Sequence, residues 1–409
     1  MEDLIGFAFI ALVSLIIIIV GLKWPVVSRI IYVALFVRIL FILIGHYIIP
    51  LPDSTKDAAG LEQLAWYYGQ NGFDNAISLY PGINSFFYSW SIGVLYSLFG
   101  RSILLAQSIG LFFGVISVFL AWFISEKIWD SKTAIKVGWI VALFPSLILY
   151  SILTLREVYQ GFFLLVAFIG IFYWVKQGSN KHIFLATASF IGAAFFHGAL
   201  ILGGVFFLLI VFLINIKKLF NSLINSRLNI SAFLIILLAV IVLQFFFLNK
   251  IYIPKIGYFK DLNLGFVISE LSARMIGDAS YGEWAKISSP LELIYKVPIR
   301  VVYFLFSPFA WDVTKPAHII GMMDGLLYLM IFYLILRNLK IIWKDPFLRI
   351  TLMILTVYLI LFGLGVGNFG SGLRHRSKFV IEMILLIGPL IPTLVFKKKM
   401  KNQKLSHKK

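Results

Sequence analysis

The chain has 409 residues, 61% hydrophobic and only 13% charged, with a mean hydropathy of +0.96. Soluble domains carry roughly a quarter charged residues, so this composition specifies a polytopic membrane protein. With no cysteine, disulfides and thiolate metal sites are excluded, and the net charge of +18 resides between apolar runs and in a lysine-rich tail, where anionic lipid headgroups rather than nucleic acid account for it.

A membrane span needs about 20 mostly apolar residues. The first is 4–22; MEDLIG has neither a basic n-region nor a small-residue cleavage site, so it reads as a retained span and not a signal peptide. Further runs follow at 28–49, 103–124, 134–153, 158–175, 182–197, 199–215, 229–248, 317–336, 350–366 and 378–396. The fold class expected is therefore an all-α polytopic membrane protein with about eleven spans. Two shorter pieces, 83–99 and 297–311, are aromatic-rich and interrupted by Pro, Ser or Arg, and are expected to be interfacial or re-entrant helices.

With those two left out, Lys23, Arg29, Lys127, Lys132, Lys136, Lys176, Lys181, Lys217, Lys218, Arg227, Arg337, Lys340, Lys344, Arg349 and the tail 397–409 all fall on one side. The positive-inside rule makes that side cytoplasmic in a multi-pass protein of the cell membrane. The extracytoplasmic side then receives the loop 50–102, a turn at 155–157, a segment 249–316 and a turn at 365–378. The segment 249–316 carries Glu270, Asp278 and Glu283 with Tyr252, Tyr258, Phe259, Tyr281 and Trp284, which suits a cap over a cavity. No internal repeat or flexible linker is visible, so residues 1–409 read as a single transmembrane domain.

Three constellations on that face can carry chemistry. Residues 50–81 hold Asp53, Asp57, Glu62 and Asp74, four of the chain's 18 acidic residues, and Ala58, Leu61, Leu64, Ala65 and Tyr68 have the spacing of an amphipathic surface helix. Asp53, Asp57 and Glu62 at a cavity mouth can act as a general base on a hydroxyl or hold a divalent cation through oxygen ligands. The pair Arg156-Glu157 reads either as a structural ion pair or as cavity groups facing Asp57. The stretch Gly370-Ser371-Gly372-Leu373-Arg374-His375-Arg376-Ser377-Lys378 is basic on the face where the positive-inside rule disfavours cations. Arginine donors on a glycine-loosened turn make a phosphate site, to which Arg300, Lys315 and His318 can add; the alternative is a salt bridge to the acidic loop.

These residues resemble the lipid-dependent membrane glycosyltransferases of the GT-C superfamily, of the ArnT and protein O-mannosyltransferase type. The matching pieces are Asp57-Ala58 with Ala65, Tyr80-Pro81, Phe99-Gly100, Trp129-Asp130-Ser131-Lys132, Pro145 with Tyr150-Ser151, Glu157, and Arg374-His375-Arg376 followed by Pro389. The match covers residues 30–180 and thins out afterwards. Two departures, Ala58 where a second acid is usual and Arg156-Glu157 in place of a plain acid, leave the identity of the base and any metal requirement open.

The resemblance implies a polyprenyl-phosphate-linked sugar as donor and transfer with inversion on the extracytoplasmic face, to an envelope lipid, glycan or protein acceptor. Under that reading Asp57, Asp53 and Glu157 are catalytic, Arg374, His375, Arg376, Lys378 and Arg300 bind the donor phosphate, and Glu62, Tyr80 and Arg156 contact substrate. Two other functions compete with it. A polysaccharide repeat-unit polymerase also joins polyprenyl-linked glycans, and a transporter or flippase would use the same acids without forming a bond. Against transport, the sequence has no pair of broken spans in matching halves; against polymerisation, the acid-rich loop precedes a short aromatic helix as in the transferases.

Overall fold

The computed structural model describes residues 2–82, 84–224 and 279–392, with scattered positions between 230 and 271. Most of the expected span 229–248, the acids Glu270 and Asp278, Phe259 and the tail 397–409 lie outside the described residues. The regular structure of the described residues is helical apart from one two-residue antiparallel pair, Tyr252–Ile253 with Gly257–Tyr258, and an isolated bridge between Ser280 and Asn368.

Helices α1 (Glu2–Lys23) and α2 (Pro25–Tyr47) form an opening hairpin, with Pro25 at the first helical position of α2, where its missing N–H costs nothing. Gly6, Ile10, Val13, Ile17 and Gly21 bury one stripe of α1, while Leu4, Leu12, Leu15, Ile19 and Leu22 stay exposed. A helix that is apolar all round but buried on one stripe faces hydrocarbon with the remainder. Next come a π-helical turn over Ser54–Ala58, α3 (Ala59–Gly69), α4 (Phe73–Ser78) and α5 (Phe87–Phe99). Helices α3 and α5 cross at Gly69 and Gly93, where a Cβ on either would strike the other helix's backbone.

Helix α6 (Ile103–Ile128) is capped by Ser102, whose hydroxyl accepts from the Leu105 N–H, and α7 (Ser131–Leu143) by Asp130, which accepts from Thr133. Pro145 excludes helical geometry at Phe144 and starts α8 (Pro145–Ile152), so the expected span 134–153 is two helices bent by 54°. Helix α9 (Glu157–Gln177) ends on Gly178 in the left-handed conformation, and α10 (Asn180–Phe196) and α11 (Ile201–Ile224) follow. After the segment that is only partly described come α12 (Glu292–Phe306), α13 (Pro316–Lys344), α14 (Pro346–Gly365, capped by Asp345), α15 (Phe369–Arg376) and α16 (Val380–Ile387).

Among the described residues seven helices are long and apolar enough to cross a membrane, or eight if α7 and α8 form one broken span. The 13-residue α5 and the 15-residue α12 are the two pieces expected to be short. At 1.5 Å per residue each falls well below the roughly 30 Å of a bilayer core. The 17-residue α10 and the eight-residue α16, which a 3-10 turn flanks on each side, are too short to count, and 229–248 lies mostly outside the described residues; these three make the difference between eight helices and the expected eleven spans.

The bundle has two chemically different ends. At one, the Trp129 indole donates to Leu385 O, Lys136 to Ile391 O, and Lys176 pairs with Asp345 at 3.7 Å, so the basic connections gather there. At the other lie the π-helical turn, residues 153–156, His197, residues 279–285 and α15. The Tyr281 N–H donates to Gly367 O and the Phe369 N–H to Ala279 O, which ties the end of the expected cap onto the turn before α15.

Candidate functional site

The site is assembled from three segments at the second end. The first is the π-helical turn. It follows Asp53, whose φ of 62° is left-handed, a conformation Asp tolerates better than most residues. The second is the non-helical stretch 153–156, seated by Gly110 and Gly114 of α6, whose missing Cβ atoms leave room for Ser151. The third is α15, capped by the Asn368 side chain, which accepts from the Ser371 N–H. Residues 370–376 are therefore helical and not the glycine-loosened turn expected, because that cap converts the stretch into regular helix.

A cavity of about 820 Å³ opens where the three meet, lined by Lys56, Asp57, Asn84, Ser85, Arg156, Glu157 and Arg374 together with apolar residues of α3. At its floor the Arg374 guanidinium joins two carboxylates that are a hundred residues apart in sequence. Nη1 is paired with Asp57 Oδ2, and Nε lies 3.3 Å from Glu157 Oε1. The Glu157 side chain is 1% exposed and its oxygens accept no hydrogen bond among the described residues, whereas the Asp57 side chain is 63% exposed. Burial alone would lower the Arg374 pKa, but the Glu157 and Asp57 charges outweigh it and hold the guanidinium firmly protonated. The ion pair to the acidic loop, one of the two readings of this basic stretch, is thus present and shares its arginine with Glu157.

The other expected carboxylates part company here. Asp53 is exposed but does not line the cavity, and it accepts from the Tyr150 hydroxyl at 3.0 Å. It touches water at the rim, yet protein crowds its remaining sides, and this desolvation raises its pKa against the lowering effects of Tyr150 and Arg374. Glu62 does not face the cavity. It is buried against Arg101 at 2.7 Å and accepts from Tyr96 at 3.2 Å, because it lies on the face of α3 that packs on α5 while Leu61 and Leu64 take the cavity side. Tyr80 also stays outside, exposed and edge-on to Trp90 at 4.9 Å. Arg156 lines the cavity and donates to Ser85 O at 2.8 Å, locking the loop after α4 to the stretch 153–156.

Of the five expected phosphate ligands, only Arg374 lines the cavity. Arg376 is fully buried and donates to Asp324 at 2.8 and 3.1 Å and to the carbonyls of Leu305, Ser307 and Gly321. Arg300 is equally buried and donates to the carbonyls of Ala285, Gly363, Leu364 and Val366. His375 packs against His197 and Phe362, and Lys378 lies 3.2 Å from His375 Nδ1 and 4.7 Å above the Phe362 ring. On a helix, residues one and two positions from Arg374 point about 100° and 200° away from it, which turns His375 and Arg376 from the cavity. Lys315 and His318 also fall outside the cavity lining, His318 packing edge-on against Phe369.

Three functional or bracing residues are absent from the expected set. Lys56 lies one residue from Asp57 and lines the same cavity. Asp324 neutralises Arg376 from inside α13, and Arg38, buried within α2, donates to Ser151 Oγ at 2.9 Å and Ala142 O at 3.0 Å, bracing α8 beneath the site. The signal for the last two is a lone charge inside an apolar run.

The carboxylates do not fit a resident metal. Arg374 takes the position between Asp57 and Glu157 that a cation would need, and no group of three or more potential ligands occurs among the described residues. Comparison of the chain with protein-family models, with curated proteins and with solved structures gives no match.

Proposed function

We propose that the chain is an integral-membrane glycosyltransferase that moves a sugar from a polyprenyl-phosphate donor to an envelope lipid, glycan or protein acceptor at the extracytoplasmic face. One observation carries the reading: an exposed carboxylate, Asp57, and a protein-held cation, Arg374, share one water-filled-sized cavity at the end of the bundle opposite the basic connections. In the reaction, Asp57 takes the proton from the acceptor hydroxyl as its oxygen attacks the anomeric carbon. The carbon–oxygen bond to phosphate breaks, and the electron pair leaves on a polyprenyl phosphate held by Arg374. Asp57 is preferred to Asp53 as base because Asp57 lines the cavity, whereas Asp53 is engaged by Tyr150.

Lipid-linked glycan profiling of a deletion strain tests the reading. Accumulated polyprenyl-phosphate sugar is the expected result. Accumulated unpolymerised repeat units would assign a polymerase instead, and an unchanged profile with lost uptake or export of a solute would assign a transporter.

A further inference from the structure

Two carboxylates hold one guanidinium at the cavity floor, and they are not equivalent. Glu157 is enclosed and lies 3.3 Å from Arg374 Nε; drawing the guanidinium away would weaken the compensation of a carboxylate buried in protein, which carries a heavy desolvation penalty. Asp57 is open to the cavity, so water can solvate it as soon as Arg374 lets go, and ion pairs with one exposed partner are weak. An anion entering the cavity meets Arg374 from the Asp57 side, and both need the same guanidinium edge.

We infer that Arg374 exchanges Asp57 for the phosphate of the lipid donor while Glu157 keeps its grip, so that Asp57 is the displaceable half of a latch and Glu157 a positioning residue. The inference rests on the donor reading of this cavity and adds the order of events. Without donor, the Asp57 carboxylate is occupied by Arg374. Donor binding frees it and leaves the base uncovered only when there is a sugar to transfer. Lys56, beside Asp57 on the same lining, gives the released carboxylate a neighbouring cation without enclosing it.

Farnesyl phosphate is a suitable probe, with farnesol as the uncharged control, titrated into the purified full chain in detergent. Asp57→Asn removes the competitor and is expected to tighten farnesyl phosphate roughly three- to fivefold, the scale of an ion pair with one exposed partner, with no change for farnesol. Glu157→Gln is expected to act oppositely. Arg374 loses its buried anchor and falls back on Asp57, so binding weakens severalfold, and Glu157→Asp restores part of it. A simple charge effect would tighten binding in both neutralised variants, so equal tightening would overturn the exchange. So would Asp57→Asn binding no tighter than wild type, an arm that stands even where Glu157→Gln fails to fold, because Asp57 is exposed. If the wild type binds farnesol as well as farnesyl phosphate, the donor reading itself falls. If it prefers the phosphate but Asp57→Asn changes nothing, the latch alone falls.

Discussion

Arg374 and Arg376, two residues apart on one short helix, face opposite ways: the first is paired with Asp57 and Glu157 at the cavity, the second is sealed inside the bundle on Asp324. The charge that looks like one basic patch in the sequence is two devices. Arg376 ties α15 to α13 through Asp324 and to the end of α12 through the carbonyls of Leu305 and Ser307, with its guanidinium 4.7 Å above the Tyr328 ring. That fixes the helix on which Arg374 is presented.

The two arginines should therefore fail differently. Arg376→Ala leaves Asp324 buried without its cation, a loss of roughly 3 to 5 kcal/mol for a broken buried pair, and is expected to lower thermal stability and yield. Arg374→Lys keeps a cation beside Glu157 and is expected to preserve the fold while weakening an isoprenyl phosphate by about 1.5 to 3 kcal/mol, the scale of a charge-assisted contact. Unfolding curves and ligand titrations on the same preparations separate the two, and the reverse pattern would show the assignments to be exchanged.

Glu62 gives the matching case among the acids. Its carboxylate is held by Arg101 and Tyr96 where α3 packs on α5, so Glu62→Gln is expected to cost stability and leave substrate affinity unchanged. Arg101 is a third exposed, which brings the expected loss down to about 1 to 2 kcal/mol from that of a fully buried pair. A shift in KM with unchanged melting temperature would return Glu62 to the cavity.

How far the sequence reaches is visible in these same residues. Long apolar runs and the amphipathic α3 depend on spacing within one stretch and are legible there, whereas the break at Pro145 divides what the apolar run 134–153 presents as one span. The convergence of residues 57, 157 and 374 on one end was legible as well, from the alternation of spans. Which side of a helix a charge takes was not. The register of α15 is set by the Asn368 cap, and the partners of Glu62 and Arg376 come from other helices, information that no local spacing contains. Past α16, Gly388 leaves room for the Trp129 ring, which donates to Leu385 O, again a contact across the bundle.

The orientation of the bundle can be read out directly, because the chain has no native cysteine. The basic connections gather at one end and the cavity at the other, so the expectation from the positive-inside rule is a cavity outside the cytoplasm. Thr55→Cys is expected to react with a membrane-impermeant maleimide in intact cells, and Lys132→Cys only after permeabilisation. Labelling in the opposite order would invert the topology and move the chemistry to the cytoplasmic face.

The base is the remaining test of the reading. Asp57 lines the cavity beside Arg374, so an acceptor hydroxyl can reach it, while Asp53 lies outside the lining and is bonded to Tyr150. Asp57→Asn keeps the size of the side chain and removes the proton acceptor, and general-base catalysis contributes roughly 10²- to 10⁴-fold, so turnover is expected to fall by about that factor with the protein still folded. Asp53→Asn keeps an oxygen for the Tyr150 hydroxyl and removes a charge that desolvation disfavours, so its effect on turnover is expected to be smaller. Single-turnover rates with a short-chain isoprenyl-phosphate sugar measure this step apart from binding, which matters because Asp57→Asn is expected to bind the lipid phosphate more tightly, not less. Loss of the chemical step in Asp53→Asn with near-normal rates in Asp57→Asn would make Asp53 the base, with Asp57 left only as the residue that holds Arg374 between turnovers.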